Sequence, residues 1–160
     1  MALALVATLT AGRLAAAATL LAGAWLTDAL DGPAARASEL RTRLGRFDLV
    51  ADTAVGAGVL AGLALAGDVP AGLAWPLLAV LGIGFLVLRN PALSMTLQAA
   101  GYAWLLWTLW DENEPAFWLP LGTAAGLLLL LHRRLFRTVI PAFFGGLASL
   151  TRRRKRFERL

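Results

Sequence analysis

Long apolar runs separated by short polar breaks leave this chain few ways to fold. The runs span residues 1–27, 49–66, 72–88, 93–110 and 116–131. Each is close to the length that a helix needs to cross a bilayer, roughly 20 residues. The breaks between them hold most of the charge. Of the 160 residues, 59% are hydrophobic and the mean hydropathy is +0.69, too apolar for a soluble domain of this size. The runs are rich in Ala and Leu, which favour helix. The expected architecture is therefore all-α: a polytopic membrane helix bundle of about five transmembrane helices. Residues 1–150 would form a single transmembrane domain and 151–160 a basic tail. The first run is interrupted by Arg13, which as a single span would lie near the far interface and snorkel. Gly32-Pro33 is expected to break the first helix.

Charge gives an independent test of the span count. With residues 32–47 on the cytoplasmic side, Asp68 falls outside, Arg89 inside, Asp111, Glu112 and Glu114 outside, and Arg133, Arg134 and Arg137 inside. The cluster Arg152–Arg156 also lands inside. Every basic loop then shares one side, as the positive-inside rule requires. Residues 138–150 are apolar but short, and are expected to form an interfacial or docked helix rather than a sixth span. Trp104, Trp107 and Trp110 are placed as an interfacial belt. Gly58-x3-Gly62 and Gly122-x3-Gly126 are close-packing patterns of membrane helices, read here as contacts within one subunit.

Composition also removes several kinds of chemistry. There is no cysteine and one histidine, His132, which excludes thiolate metal sites and cysteine nucleophiles and argues against histidine-based ones. The net charge of +5 comes from arginine clusters outside the apolar runs. In so apolar a chain that balance points to anionic lipid headgroups and topology, not to nucleic acid.

Four of the ten acidic residues, Asp28, Asp31, Asp48 and Asp52, fall where the first run ends and the second begins. Carboxylates beside lipid are costly and call for a partner. Asp28 and Asp31 are three apart, Asp48 and Asp52 four apart, so on helices each pair shares a face. The intervening residues can turn the chain and bring the two pairs together at one depth. Four carboxylates in one place suit a hard divalent cation, which takes oxygen ligands and leaves positions for substrate phosphates. Arg36, Arg41, Arg43 and Arg46 make the connection basic, either as a phosphate-facing lip or as ordinary cytoplasmic-loop charge.

The order Asp28-x2-Asp31-Gly32-x2-Ala35-Arg36-x8-Gly45-x2-Asp48-x3-Asp52 resembles the signature of the CDP-alcohol phosphatidyltransferases, class I. The gap between Gly45 and Asp48 is two residues where that family has three. Leu9-Thr10-x2-Arg13-Leu14 is similar to a stretch of the family's first transmembrane helix, but the distance from Arg13 to Asp28 leaves no room for a whole extra span, so that helix is expected to be missing. The resemblance implies transfer of a phosphatidyl or related group from a CDP-linked lipid to an alcohol, with release of CMP, in phospholipid biosynthesis. It implies Mg²⁺ or Mn²⁺, two ions, held by Asp28, Asp31, Asp48 and Asp52, with Asp52 also the general base. Gly32, Ala35 and Arg36 would hold the nucleotide and its phosphates. A homodimer in the cell membrane, with site and tail cytoplasmic, is implied too. Arg89 is a candidate for an acceptor phosphate, although the lysine expected shortly after it is absent from Ser94-Met95-Thr96-Leu97-Gln98. Two other readings stand beside this one: a catalytically degenerate member of the family, and a non-enzymatic membrane protein that binds a divalent cation and lipid.

Overall fold

The first run does not form one helix. A computed structural model describes the backbone of residues 1–37 and 45–157 and the side chains of 1–30 and 49–151. In it the run divides into α1 (Ala2–Thr10) and α2 (Leu14–Ala37). The break is a left-handed turn at Gly12, φ 66°, a conformation that costs glycine little. Gly12 N–H bonds the Leu9 carbonyl at 2.9 Å and Arg13 N–H bonds the Thr8 carbonyl at 2.8 Å, the paired bonds that close a helix at a glycine. An isolated glycine in an Ala/Leu run does not announce such a stop, which is why the sequence reads as continuous. The expectation of one continuous first span is corrected to two helices. At nine residues, α1 is about 14 Å long and cannot cross a bilayer.

α1 lies instead along α3 (Gly45–Ala66). Leu5 and Leu9, one turn apart, are fully buried against it. The glycines of Gly58-x3-Gly62 make this possible: a Cβ at 58 would come within 2.9 Å of the Ala2 carbonyl oxygen, and one at 62 within 2.8 Å of Leu9 Cδ1. The close-packing pattern thus serves a contact within one subunit, as the sequence suggested.

α2 continues through Gly32-Pro33 to Ala37, so that pair does not break the helix. A proline removes one main-chain bond, and membrane helices tolerate it. After α3, a second left-handed glycine, Gly67, turns the chain into α4 (Ala71–Leu78). A π-helical turn at Ala79–Ile83 joins it to α5 (Gly84–Leu88), giving one continuous rod. Arg89, φ 49°, ends that rod. Two Asn–Pro starts follow. Asn90 accepts a bond from Ala92 N–H at 2.9 Å and opens α6 (Pro91–Glu112); Asn113 accepts one from Ala116 N–H at 3.3 Å and opens α7 (Glu114–Arg134). Both are side-chain caps with proline in the first turn. α7 runs on through a π turn at Leu135–Val139 into α8 (Ile140–Phe157). The segment 138–150 is therefore a continuation of α7 and not a separate short helix. It is docked, as expected: the Asn90 amide donates to the Gly146 carbonyl at 2.9 Å and to Ser149 Oγ at 3.0 Å.

The chain is an all-α bundle. Among the described residues, three stretches are long and apolar enough to cross a membrane by length and composition: Leu49–Ala66, Ala71–Leu88 and Glu114–Thr151. The apolar part of α2, Leu14–Leu30, is shorter. α6 packs against α3, α7 and α8 and carries buried Ser94 and Thr108; a helix covered by its neighbours need not be uniformly apolar. Trp104 belongs to the core and not to the belt, being partly buried against it. Trp107 and Trp110 are exposed, and Trp110 packs edge-to-face with Phe117 (5.2 Å) and Trp118 (6.4 Å) across the α6–α7 turn.

The core's tightest crossing is α3 against α6. An added Cβ at Gly56 would lie 2.8 Å from Gln98 Cα, and one at Gly101 2.8 Å from the Gly56 carbonyl oxygen. Neither obstacle is a flexible side chain. Gly56→Ala is expected to force the helices apart and cost about 1–3 kcal/mol, the range for overpacking. Gly72→Ala, where nothing lies within 4 Å, serves as the control. Thermal unfolding of both variants in detergent checks this.

Candidate active site

Asp28 and Asp52 stand on different helices, α2 and α3, and open on one cavity of about 390 Å³. This is the convergence that the spacing of the aspartates predicts, seen for one member of each pair. Asp31 lies on α2 and Asp48 on α3, but their side chains, with those of Gly32, Ala35 and Arg36, lie outside the described residues. Among the described residues no three acidic or histidine side chains gather.

The cavity has two unlike walls. One is polar and built by α2, α3 and α6: Asp28, Asp52 and Gln98, with Leu49 and Met95 beside them. The other is apolar and built by α7: Leu127, Leu128 and Leu131, continued by Leu135 and Val139 in the π turn. Arg134 closes the apolar wall. A guanidinium beside a leucine surface, in a cavity that also holds carboxylates, suits a molecule with a greasy body and an anionic head. Arg89 is exposed and absent from the lining. Among the described basic residues, Arg134 is the one that reaches the cavity. From the sequence, Arg133, Arg134 and Arg137 read alike, as a phosphate pocket or, more strongly, as inside-flanking charge, and only the path of α7 past α3 and α6 distinguishes Arg134.

The polar wall is stiff. Thr53, next to Asp52, is buried and bonds Ser94 Oγ at 2.6 Å; Gln98 Nε2 donates to the same Ser94 oxygen at 3.0 Å. The first bond joins α3 to α6 beside Asp52, and the second ties Gln98 to it within α6. One turn beyond Gln98, Tyr102 packs edge-to-face on Trp25 at 5.2 Å, with its hydroxyl within reach of the Trp25 side chain. Asp52 and Asp28 both lie within electrostatic reach of that hydroxyl. None of Thr53, Ser94, Gln98, Trp25 or Tyr102 forms a local motif in the sequence. They are polar or amphipathic residues scattered through apolar runs, and their spacing across 25–102 gives no sign that they meet.

Residues 1–143 match the CDP-alcohol phosphatidyltransferase family. The chain belongs to that family. The match covers every helix from α1 to the start of α8, so the whole cavity lies inside it. Comparison with curated proteins gave no match, and neither did comparison with solved structures. The family transfers phosphoryl-linked groups from CDP-alcohols in phospholipid synthesis, works in membranes and is generally dependent on a divalent metal. The donor chemistry here fits such an ion: two carboxylates from separate helices face one cavity, and hard divalent cations take carboxylate oxygens.

The apolar wall is held in place from below by Asn90, which caps α6 and clasps α8 at once. Asn90→Ala removes the cap and the bonds to Gly146 and Ser149. The expected cost is about 1–2 kcal/mol, the usual range for a lost side-chain cap. Hydrogen exchange resolved along the chain should show faster exchange concentrated in 140–151 and the first turn of α6, with α1–α3 unchanged.

Proposed function

We propose that this protein transfers a phosphatidyl or related substituted phosphoryl group from a CDP-linked lipid to an alcohol acceptor, releasing CMP. The observation that carries the reading is the shared cavity: Asp28 and Asp52 on its polar wall, leucines on the other, Arg134 at the end. The leucine wall suits the acyl portion of the donor, and the acidic wall suits metal-bound phosphates. The site adjoins the start of α3, near one end of the bundle, which fits a reaction between a lipid in the bilayer and polar partners in the cytosol. On this reading the protein is a multi-pass cell-membrane enzyme with its site and basic tail cytoplasmic, and a homodimer.

The acceptor hydroxyl attacks the phosphorus that bears the lipid. A new P–O bond forms, the bond from that phosphorus to the CMP oxygen breaks, and CMP leaves with the electron pair. Asp52 takes the proton of the attacking hydroxyl, the role for which a carboxylate within hydrogen-bond reach is suited. Asp28, Asp31 and Asp48, with Asp52 as a further ligand, would hold two Mg²⁺ or Mn²⁺ ions, whose charge offsets that of the phosphates. Gly32 and Ala35 leave room for the nucleotide and Arg36 pairs with its phosphates. Arg134 holds the anionic head from the opposite wall.

The two-residue gap from Gly45 to Asp48, one short of the family's usual three, favours one other reading, a family member that has lost catalysis and kept lipid binding. Both are tested by supplying protein in lipid with CDP-diacylglycerol, Mg²⁺ or Mn²⁺ and a panel of acceptors: glycerol 3-phosphate, inositol phosphate, inositol, serine and a lipid alcohol. Metal-dependent CMP release with one acceptor is expected. Asp52→Asn should reduce release by at least about 100-fold, the lower end for a lost general base, with calorimetric metal binding largely kept. Asp31→Asn should lose both. Binding of metal and CDP-lipid without release under any acceptor selects the degenerate reading.

A further inference from the structure

The polar wall contains a directional chain of hydrogen bonds. Thr53 Oγ1 donates to the Leu49 carbonyl at 2.6 Å, which uses its only proton. The 2.6 Å bond between Thr53 and Ser94 is therefore donated by Ser94, which uses that proton too. Ser94 Oγ can then only accept from Gln98, and it does so from Nε2 at 3.0 Å. Turned over, the Gln98 amide would set its oxygen against a hydroxyl with no proton left to give. The network thus sets which end of the amide points where.

Gln98 lines the cavity with Asp28 and Asp52. Its Nε2 is committed to Ser94, and Oε1 accepts no hydrogen bond from the described residues. No buried side-chain polar atom among the described residues lacks a partner, so Oε1 is not sealed in, and the cavity that Gln98 lines is the space on which it can open. The backbone beneath is immobilised as well, because Gly56 packs on Gln98 Cα. Gly56 is one turn along α3 from Asp52. The amide reaches back from there to Ser94, the partner of Thr53, so it is held at the level of the residue next to Asp52.

We propose that Gln98 is a specificity residue for the acceptor: Oε1 receives a second hydroxyl of the alcohol, next to the one whose proton goes to Asp52. The inference rests on the transferase reading above. A carbonyl oxygen among carboxylates repels anions and welcomes O–H donors, so the acceptor class is a diol or polyol and not a simple alcohol. The ribose of a CDP donor carries the same vicinal hydroxyls, and the experiment separates the two sources.

The probes are propane-1,2-diol and propan-1-ol, which differ by one hydroxyl, offered with CDP-diacylglycerol and Mg²⁺ to the protein in lipid. The wild type is expected to prefer the diol in kcat/KM by about tenfold, near the upper worth of one neutral hydrogen bond. Gln98→Met, of similar volume, should bring the ratio close to one without moving KM for CDP-diacylglycerol. Ser94→Ala frees the amide to turn and should lower the ratio while Gln98 is present, with no further effect in the double variant. Equal rates for the two alcohols in the wild type, with CMP release intact, would overturn the role of Gln98 and leave the transferase reading standing. A raised KM for CDP-diacylglycerol in Gln98→Met with an unchanged diol ratio places Gln98 on the ribose and likewise overturns it. If no acceptor supports CMP release, the transferase reading falls. Calorimetric binding of the two alcohols then decides: a diol preference that needs Gln98 supports hydroxyl recognition there, and equal binding overturns it.

Discussion

Where α3 crosses α6, no side chain separates the two backbones. Gly56 meets Gln98 Cα, and Gly101 meets the Gly56 carbonyl. In lipid, helices gain little from hiding apolar surface from each other, so close approach and a few interhelical hydrogen bonds carry association. Both are present here, because the Thr53–Ser94 bond lies one turn below the glycine contact. That crossing decides where Asp52 and Gln98 stand relative to each other. It also leaves α2 and α7 to close the remaining sides of the cavity.

The cavity follows from an energetic conflict along the chain. Asp28 and Asp52 adjoin apolar runs, where a lone carboxylate is costly. The bundle resolves this by turning both toward a shared polar wall, while α7 supplies leucines opposite. The result is an amphipathic chamber. The family to which the chain belongs acts on CDP-alcohols.

α7 and α8 form the apolar side of this arrangement: a single helical run with a π turn at Leu135–Val139, next to Arg134. π turns are rare and recur at functional sites. This one places Leu135 and Val139 in the cavity lining, and the run is then tied back to the start of α6 by Asn90. One buried asparagine thus connects the beginning of α6 to the far wall of the site.

Much of this was readable beforehand because it depends on local rules. Apolar run lengths specify helices and membrane spans, and i,i+3 and i,i+4 spacing puts paired aspartates on shared faces. The ordered signature from Asp28 to Asp52 named the family. Local rules failed where two outcomes were nearly equal in local energy. Gly12 can continue a helix or end it, and it ends α1, which packs on α3 through Ala2 and Leu9; Gly32-Pro33 can end a helix or be carried within one, and α2 carries it. The sequence by itself determined an all-α membrane bundle and the residue types of its acidic site, since hydropathy and helix periodicity act over a few turns. Only the tertiary structure decided that Arg134 and not Arg89 reaches the cavity, and that Thr53, Ser94 and Gln98 form one network. Those outcomes depend on which helix faces cross, and that is set by contacts between residues 40 or more apart in the chain.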